Sequence, residues 1–181
     1  MGIVFTILFI AFSGIAFYLY ISIHNTTLKK LSESLGGQYV GGLNPHLKIN
    51  NHIITALPKN EYSESGLIIE APALVPKMGE LEIKRIFTKS NNTFEDLFKI
   101  NTYNFKGQIE KIITESITAK LKELAPYIYN IKFNSFETKA HFNINLTSNE
   151  KLFKNLIELV FSLEELTVSS VQKSNETQRT I

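Results

Sequence analysis

From Ile3 to Ile23 the chain reads IVFTILFIAFSGIAFYLYISI, 21 residues without a charge. At about 1.5 Å per helical residue this run matches the roughly 30 Å hydrocarbon core of a bilayer, which predicts a transmembrane helix. Tyr18 and Tyr20 near its end suit the interfacial belt, where an aromatic ring sits among headgroups with its hydroxyl in water. Leu28, Leu31 and Leu35 then recur at helical spacing until Gly36-Gly37. That pattern predicts a short juxtamembrane helix stopped by glycine.

After the glycines the period shortens. Strand-like runs cover Gln38-Leu43, Leu47-Ile49, His52-Leu57, Leu67-Leu74 and Leu81-Phe87, with Asn50-Asn51 reading as a tight hairpin turn. Pro72 lacks a ladder donor, so its strand is expected at an edge or a bulge. An apolar stripe of Ile109, Ile112, Ile113, Ile117, Leu121 and Leu124 predicts one helix ending before Pro126. A second helix opens at Thr147-Ser148-Asn149-Glu150, a capping-box pattern, and carries Leu152, Phe153, Leu156, Ile157, Val160 and Leu163. Two alternating strands lie between them. Tyr127, Tyr129, Ile131 and Phe133 are expected on one face, as are Phe136, Ala140, Phe142, Ile144 and Leu146, against Glu137, Lys139, His141, Asn143 and Asn145.

Strict alternation indicates a sheet with one wet face, hence antiparallel pairing. The order of elements predicts an α+β fold: an N-terminal transmembrane helix, then an antiparallel β-sheet domain with two helices packed on one face. Residues 1–35 form the membrane and juxtamembrane segment, 36–171 the soluble domain, and 172–181 a flexible polar tail.

A cleaved signal peptide would need a basic start, a shorter apolar core and a small-x-small cleavage site, so the apolar run is read as an uncleaved anchor. The start Met1-Gly2 also matches the loose myristoylation pattern, but a helix that already anchors the chain gives that lipid nothing to add. A pilin-like subunit is excluded because there is neither a basic leader nor a glutamate within the apolar run. Lys29 and Lys30 follow the helix and nothing basic precedes it apart from the amino terminus. The positive-inside rule therefore predicts a single-pass protein of the inner (cytoplasmic) membrane with its domain in the cytoplasm. Four N-x-[ST] sequons begin at Asn25, Asn91, Asn145 and Asn175, a frequency that asparagine-rich composition produces by chance. The abundance of Ile, Asn and Lys suggests an AT-rich, bacterial genome.

Composition narrows the chemistry. With 19 basic and 17 acidic side chains the chain is neither a polybasic nucleic-acid binder nor an acidic disordered tail, and without cysteine it holds no disulfide, thiolate metal site or thiol nucleophile. Asp96 is the sole aspartate, and Arg85 the sole arginine before residue 172. Arg85 shares the phase of Leu81, Ile83 and Phe87, and a guanidinium on an apolar face needs a partner. Asp96, Glu95 and Glu70 are candidates. Arg85 is thus either a ligand-anchoring fork for a carboxylate or phosphate, or part of a structural ion pair. His24 belongs to the membrane interface and His141 to a polar strand face, while His46 and His52 flank the Asn50-Asn51 turn without metal-ligand spacing and read as surface histidines. Glu80, Glu82 and Lys84 share a solvated strand face. Gly36-Gly37-Gln38-Tyr39-Val40-Gly41-Gly42 opens no helix and carries no Lys-Ser/Thr, so it is not a phosphate loop. Neither a cofactor nor a metal is expected.

The segment Leu31-Ser32-Glu33-Ser34-Leu35-Gly36-Gly37 behind an anchor, the hairpin LKINNHIITAL and the later Phe94-Glu95-Asp96-Leu97-Phe98-Lys99-Ile100 resemble a loose group of uncharacterised bacterial membrane-anchored proteins. In that group a helix ending in Leu-Gly-Gly precedes a β-rich domain with an F-D-x-x-F-x-V-like motif, and Glu95 stands at the motif's acidic position. The resemblance implies the architecture and no activity. Phe94, Phe98 and Ile100 are expected to pack into the sheet, with Glu95-Asp96 at a turn bonding backbone amides. The chain therefore reads as a tethered, non-enzymatic interaction or scaffold domain whose partners are the bilayer and another membrane or envelope protein, with no nucleic acid. The alternative is a small-ligand binder or hydrolase built from Arg85, Asp96, Glu95 and His52.

Overall fold

A computed structural model of the chain describes residues 2–57, 66–73, 75–87, 93–144 and 150–179. The apolar run and the segment behind it form one continuous helix, α1 (Gly2–Leu35). Its first part is a bare apolar rod: Val4, Phe5, Phe9, Phe12 and Tyr18 are all more than half exposed. From Val4 onward α1 is long and apolar enough to cross a membrane. Its last turns differ, because Leu28 and Leu31 are buried in the core of the domain that follows. Gly36 takes φ +73°, and the Gly36 and Gly37 amides both donate to the Ser32 carbonyl. This is a left-handed glycine stop that satisfies an orphan carbonyl at the helix end.

Eight strands follow: β1 (Gln38–Val40), β2 (His46–Ile49), β3 (His52–Leu57), β4 (Gly66–Pro72), β5 (Glu80–Arg85), β6 (Phe98–Tyr103), β7 (Ile128–Phe133) and β8 (Glu137–Asn143). They make a single antiparallel sheet in the order β1-β2-β3-β4-β8-β7-β5-β6. The hairpin β2–β3 turns at Asn50-Asn51, with Asn50 at φ +53° and Ile49 opposite His52. Gly79, at φ +81°, precedes β5 where a Cβ would stand 2.1 Å from the Asn104 carbonyl oxygen, so only glycine fits.

One face of the sheet is apolar and covered. Leu47, Ile54, Leu67, Ile69, Leu81, Ile83, Ile131, Phe133, Ala140 and Phe142 are each at most 1% exposed. Over them lie α4 (Glu115–Leu124) and α5 (Glu150–Arg179), joined by the last turns of α1 and by the short α3 (Ile109–Ile112). The α+β architecture with helices on one sheet face is thus as expected, with the end of α1 as an additional layer member. Buried Phe153, Leu156, Ile157, Val160 and Leu163 give α5 its inward stripe. Each such side chain contributes about 1.5–3 kcal/mol by leaving water.

Several local expectations are corrected. The stripe from Ile109 to Leu124 is two helices, because Ile113 leaves helical geometry and the Thr114 hydroxyl accepts from the Ile117 amide to cap α4. β4 is an interior strand, and Pro72 is tolerated because it ends it, opposite Glu137. A bulge between Ile128 and Asn130 inserts Tyr129, which moves Ile128 to the core and Tyr129 to the polar face, its ring 5.3 Å from that of His141. Phe136 is 86% exposed because it sits in the β7–β8 turn before the alternation of β8 begins. Phe87 lies past the end of β5 and is exposed. α5 runs on through the segment expected as a flexible tail, to Arg179, its helical ladder continuing past the buried Val171. Leu146 and the Thr147-Glu150 capping box lie partly outside the described residues.

Candidate functional site

Two clusters hold the chemistry-bearing residues. The first surrounds Arg85 at the end of β5. Its Nε donates to the Ala125 carbonyl (3.2 Å), and Nη1 donates to the carbonyls of Ile86 (2.7 Å) and Leu97 (2.8 Å). The guanidinium carbon lies 5.7 Å from the Phe98 ring centre and 5.9 Å from that of Phe87. Burial pushes its pKa below the ordinary arginine value. Main-chain oxygens and aromatic faces thus solvate the cation. Arg85 ties the end of β5 to the start of β6 and to the turn after α4.

Beside it, α2 (Phe94–Leu97) is a single turn closed by a capping box. The Asp96 amide donates to Thr93 Oγ1 (3.2 Å), and the Thr93 amide donates to Asp96 Oδ2 (3.1 Å). The acid therefore bonds backbone amides at a turn, as anticipated. Phe94 stacks on Phe98 at 5.4 Å, and Phe98 is buried. Glu95 is exposed. Glu70, the other candidate partner of Arg85, lies on β4 and bonds Lys139 of β8 at 2.5 Å. Glu80 bonds Lys132 at 2.9 Å, and Glu82 accepts from Asn101 Nδ2 at 2.9 Å. Their hydrogen bonds to these carboxylates hold Lys132 and Lys139 above the ordinary lysine value.

The second cluster lies under α5. His52 on β3 and Glu164 on α5 place Nε2 and Oε2 2.6 Å apart, and Thr138 Oγ1 on β8 donates to Glu164 Oε1 at 2.8 Å. All three side chains are buried, at 7%, 5% and 3% exposure. An ionised carboxylate can only accept, which in that state puts a proton on Nε2, and Nδ1 is buried with no hydrogen-bond partner among the described residues. The Phe161 ring packs 4.4 Å from the imidazole. An open groove of about 440 Å³ runs along this seam, lined by Asn50, His52, Phe161, Glu164 and Val168 among others.

His52 is therefore a core residue and not a surface one. It does not meet His46 either, since β2–β3 register places His46 opposite Thr55. Nor does it meet Arg85. β3 and β5 are four strand spacings apart in the sheet, about 19 Å. The set Arg85, Asp96, Glu95 and His52 is thus divided: Arg85, Asp96 and the exposed Glu95 lie around one turn, and His52 stands across the sheet. Glu164 and Thr138 are the residues that sequence reasoning passed over. Their signal is a carboxylate spaced four residues from Val160 in the inward stripe of α5, and a threonine at an inward position of β8.

Chemically, a histidine held by a carboxylate is half of a base-and-orienter pair, whose other nitrogen must face a nucleophile or a substrate proton. Here that nitrogen is sealed in the core, and the carboxylate joins β3 and β8 to α5. The cluster fastens the longest covering helix to the sheet.

These features define an antiparallel α+β sheet domain carried directly on an apolar N-terminal helix. No protein-family model and no curated protein matches the chain. Among solved structures it is similar to the crystal structure of the mycobacterial trehalose monomycolate transport factor A, TtfA, with a TM-score of 0.52 and 10% sequence identity. The match covers 78% of this chain and 93% of that one. At that identity the likeness is one of fold.

Proposed function

We propose that the chain is a membrane-anchored, non-enzymatic interaction domain, held at the inner membrane by a single uncleaved helix with its domain on the cytoplasmic side. The observation that carries this reading is the continuity of α1. The same helix that exposes an apolar rod from Val4 to Ile23 buries Leu28 and Leu31 in the domain core, so tether and domain form one folded unit. A helix removed after an apolar leader has no need of such integration. The membrane partner would be the bilayer along Ile3–Ile23, and the protein partner another membrane or envelope component. The fold shared with a protein described as a transport factor agrees with a binding role. Against the alternative of a ligand-binding or hydrolytic centre at Arg85 stands the occupation of its Nε and Nη1 by main-chain carbonyls.

Orientation is tested by cysteine labelling, for which the cysteine-free chain is suited. Gln172, exposed on α5, is replaced by cysteine, and intact cells receive a membrane-impermeant maleimide. Labelling only after lysis is expected. Labelling of intact cells overturns the cytoplasmic assignment. For the interaction role, a photo-crosslinker on Phe136→Cys in native membranes is expected to give a discrete adduct with a membrane or envelope protein, and a total lack of adducts from Phe136 and Tyr103 positions counts against it.

A further inference from the structure

We propose that the β1–β2 connection, Gly41 to Pro45, is a second membrane contact whose Leu43 side chain inserts into the headgroup layer beside α1. The inference rests on the reading of α1 as a membrane anchor and adds where the domain meets the lipid. A singly exposed leucine means nothing by itself. The position of this one does.

β1 runs back along the final turns of α1 toward the apolar rod. Gly37, just before it, donates to the Ser32 carbonyl, and by Tyr39 the hydroxyl bonds the Asn25 side chain. A Cβ on Gly41 would lie 3.3 Å from Asn25 Oδ1. The chain has therefore returned to the level of Asn25, only two residues, or about 3 Å of helical rise, from Ile23 at the end of the uncharged run. Gly42, at φ +111°, bends the chain there, so Leu43, two residues on from Gly41, stays within about 7 Å of that level, close to where the uncharged run ends. The headgroup layer on each side of a bilayer is itself roughly 5–7 Å deep. Leu43 is 73% exposed on a connection whose Gly41, Gly42 and Asn44 are also exposed, while Pro45 is buried and anchors its far end. Lys29 and Lys30, exposed just above on α1, suit the anionic phosphates that would surround it. With α1 continuous and Tyr39 joined to Asn25, the helix and this connection touch the bilayer at two points and fix the tilt of the sheet.

The test uses the full chain in vesicles of neutral and anionic phospholipid. A polarity-sensitive fluorophore is attached to Asn44→Cys with Leu43 retained, and separately to Ile10→Cys and to Phe136→Cys. Phe136 lies in the turn before β8, at the sheet end opposite the one where β2 begins. Headgroup-labelled quencher lipid is expected to quench the Asn44 probe at least twofold more than the Phe136 probe. Adding Leu43→Asp should bring the two level. Acyl-chain quencher should act on the Ile10 probe. If Ile10 is quenched but Asn44 behaves like Phe136, or if Leu43→Asp changes nothing, the loop contact is wrong and the anchor stands. If Ile10 escapes acyl-chain quenching, the anchor reading itself fails.

Discussion

Glu164→Ala is the substitution that most sharply separates a structural fastening from an accessory side chain. Glu164 accepts from His52 at 2.6 Å and from Thr138 at 2.8 Å, and all three residues are more than nine-tenths buried. Removing the carboxylate strands two buried donors at once. Each orphaned donor costs about 1–3 kcal/mol, and breaking a buried charged contact costs roughly 3–5 kcal/mol in total. The exposed Lys139–Glu70 pair sets a contrast, since solvent screening limits such a pair to about 0–1 kcal/mol. With a urea m-value of about 2 kcal/mol/M, Glu164→Ala should lower the unfolding midpoint by about 1.5–2.5 M. Glu164→Gln keeps the bond from Thr138 but presents an amide donor to His52, so its loss should be smaller than that of alanine. The assay is urea unfolding of the full chain in detergent, followed by circular dichroism. A Glu164→Ala midpoint within about 0.3 M of the parent would refute the fastening.

Other outcomes follow from the same geometry. Phe98→Ala should cost about 3–5 kcal/mol because that ring is buried, and the half-buried Phe94→Ala less, both read from thermal unfolding. Thr93→Ala removes one arm of the capping box and should cost about 1 kcal/mol in the same measurement. Arg85→Lys keeps the charge and loses the fork across three carbonyls, so its melting temperature should fall while a change confined to ligand binding would contradict the structural assignment. Lys132 and Lys139 have folded-state values raised above the ordinary 10.5 by their bonds to Glu80 and Glu70. Their contribution is complete below about pH 10.5 and disappears as pH rises through the higher folded values. Lys132→Met with Lys139→Met should flatten that alkaline limb in a stability–pH series.

The residues that announced themselves are those where one local rule acts alone. The uncharged run, the Gly36-Gly37 stop, the Asn50-Asn51 turn and the alternation of Ala140, Phe142 and Ile144 each follow from period or turn chemistry without help from the rest of the chain. Where a neighbour decides, the pattern misled. The bulge that turns Tyr129 outward is set by pairing with β8, and the break at Thr114 by a hydroxyl cap inside what reads as one stripe. β6 is an edge strand whose burial fades from Phe98 to Tyr103, which leaves too few inward apolar positions to show a period of two. The candidate site was legible only in pieces. Asp96 was placed at its turn, whereas His52 meets Glu164 across 112 positions of sequence, a distance that no local pattern spans.

The central claim is that one helix serves as both anchor and core element and stays on the mature protein. Intact-mass measurement of the protein recovered from membranes after alkaline carbonate extraction tests it most directly. A membrane-retained species whose mass and peptide map still include Ile3–Ile23 is expected. A carbonate-soluble species lacking Ile3–Ile23 would contradict it.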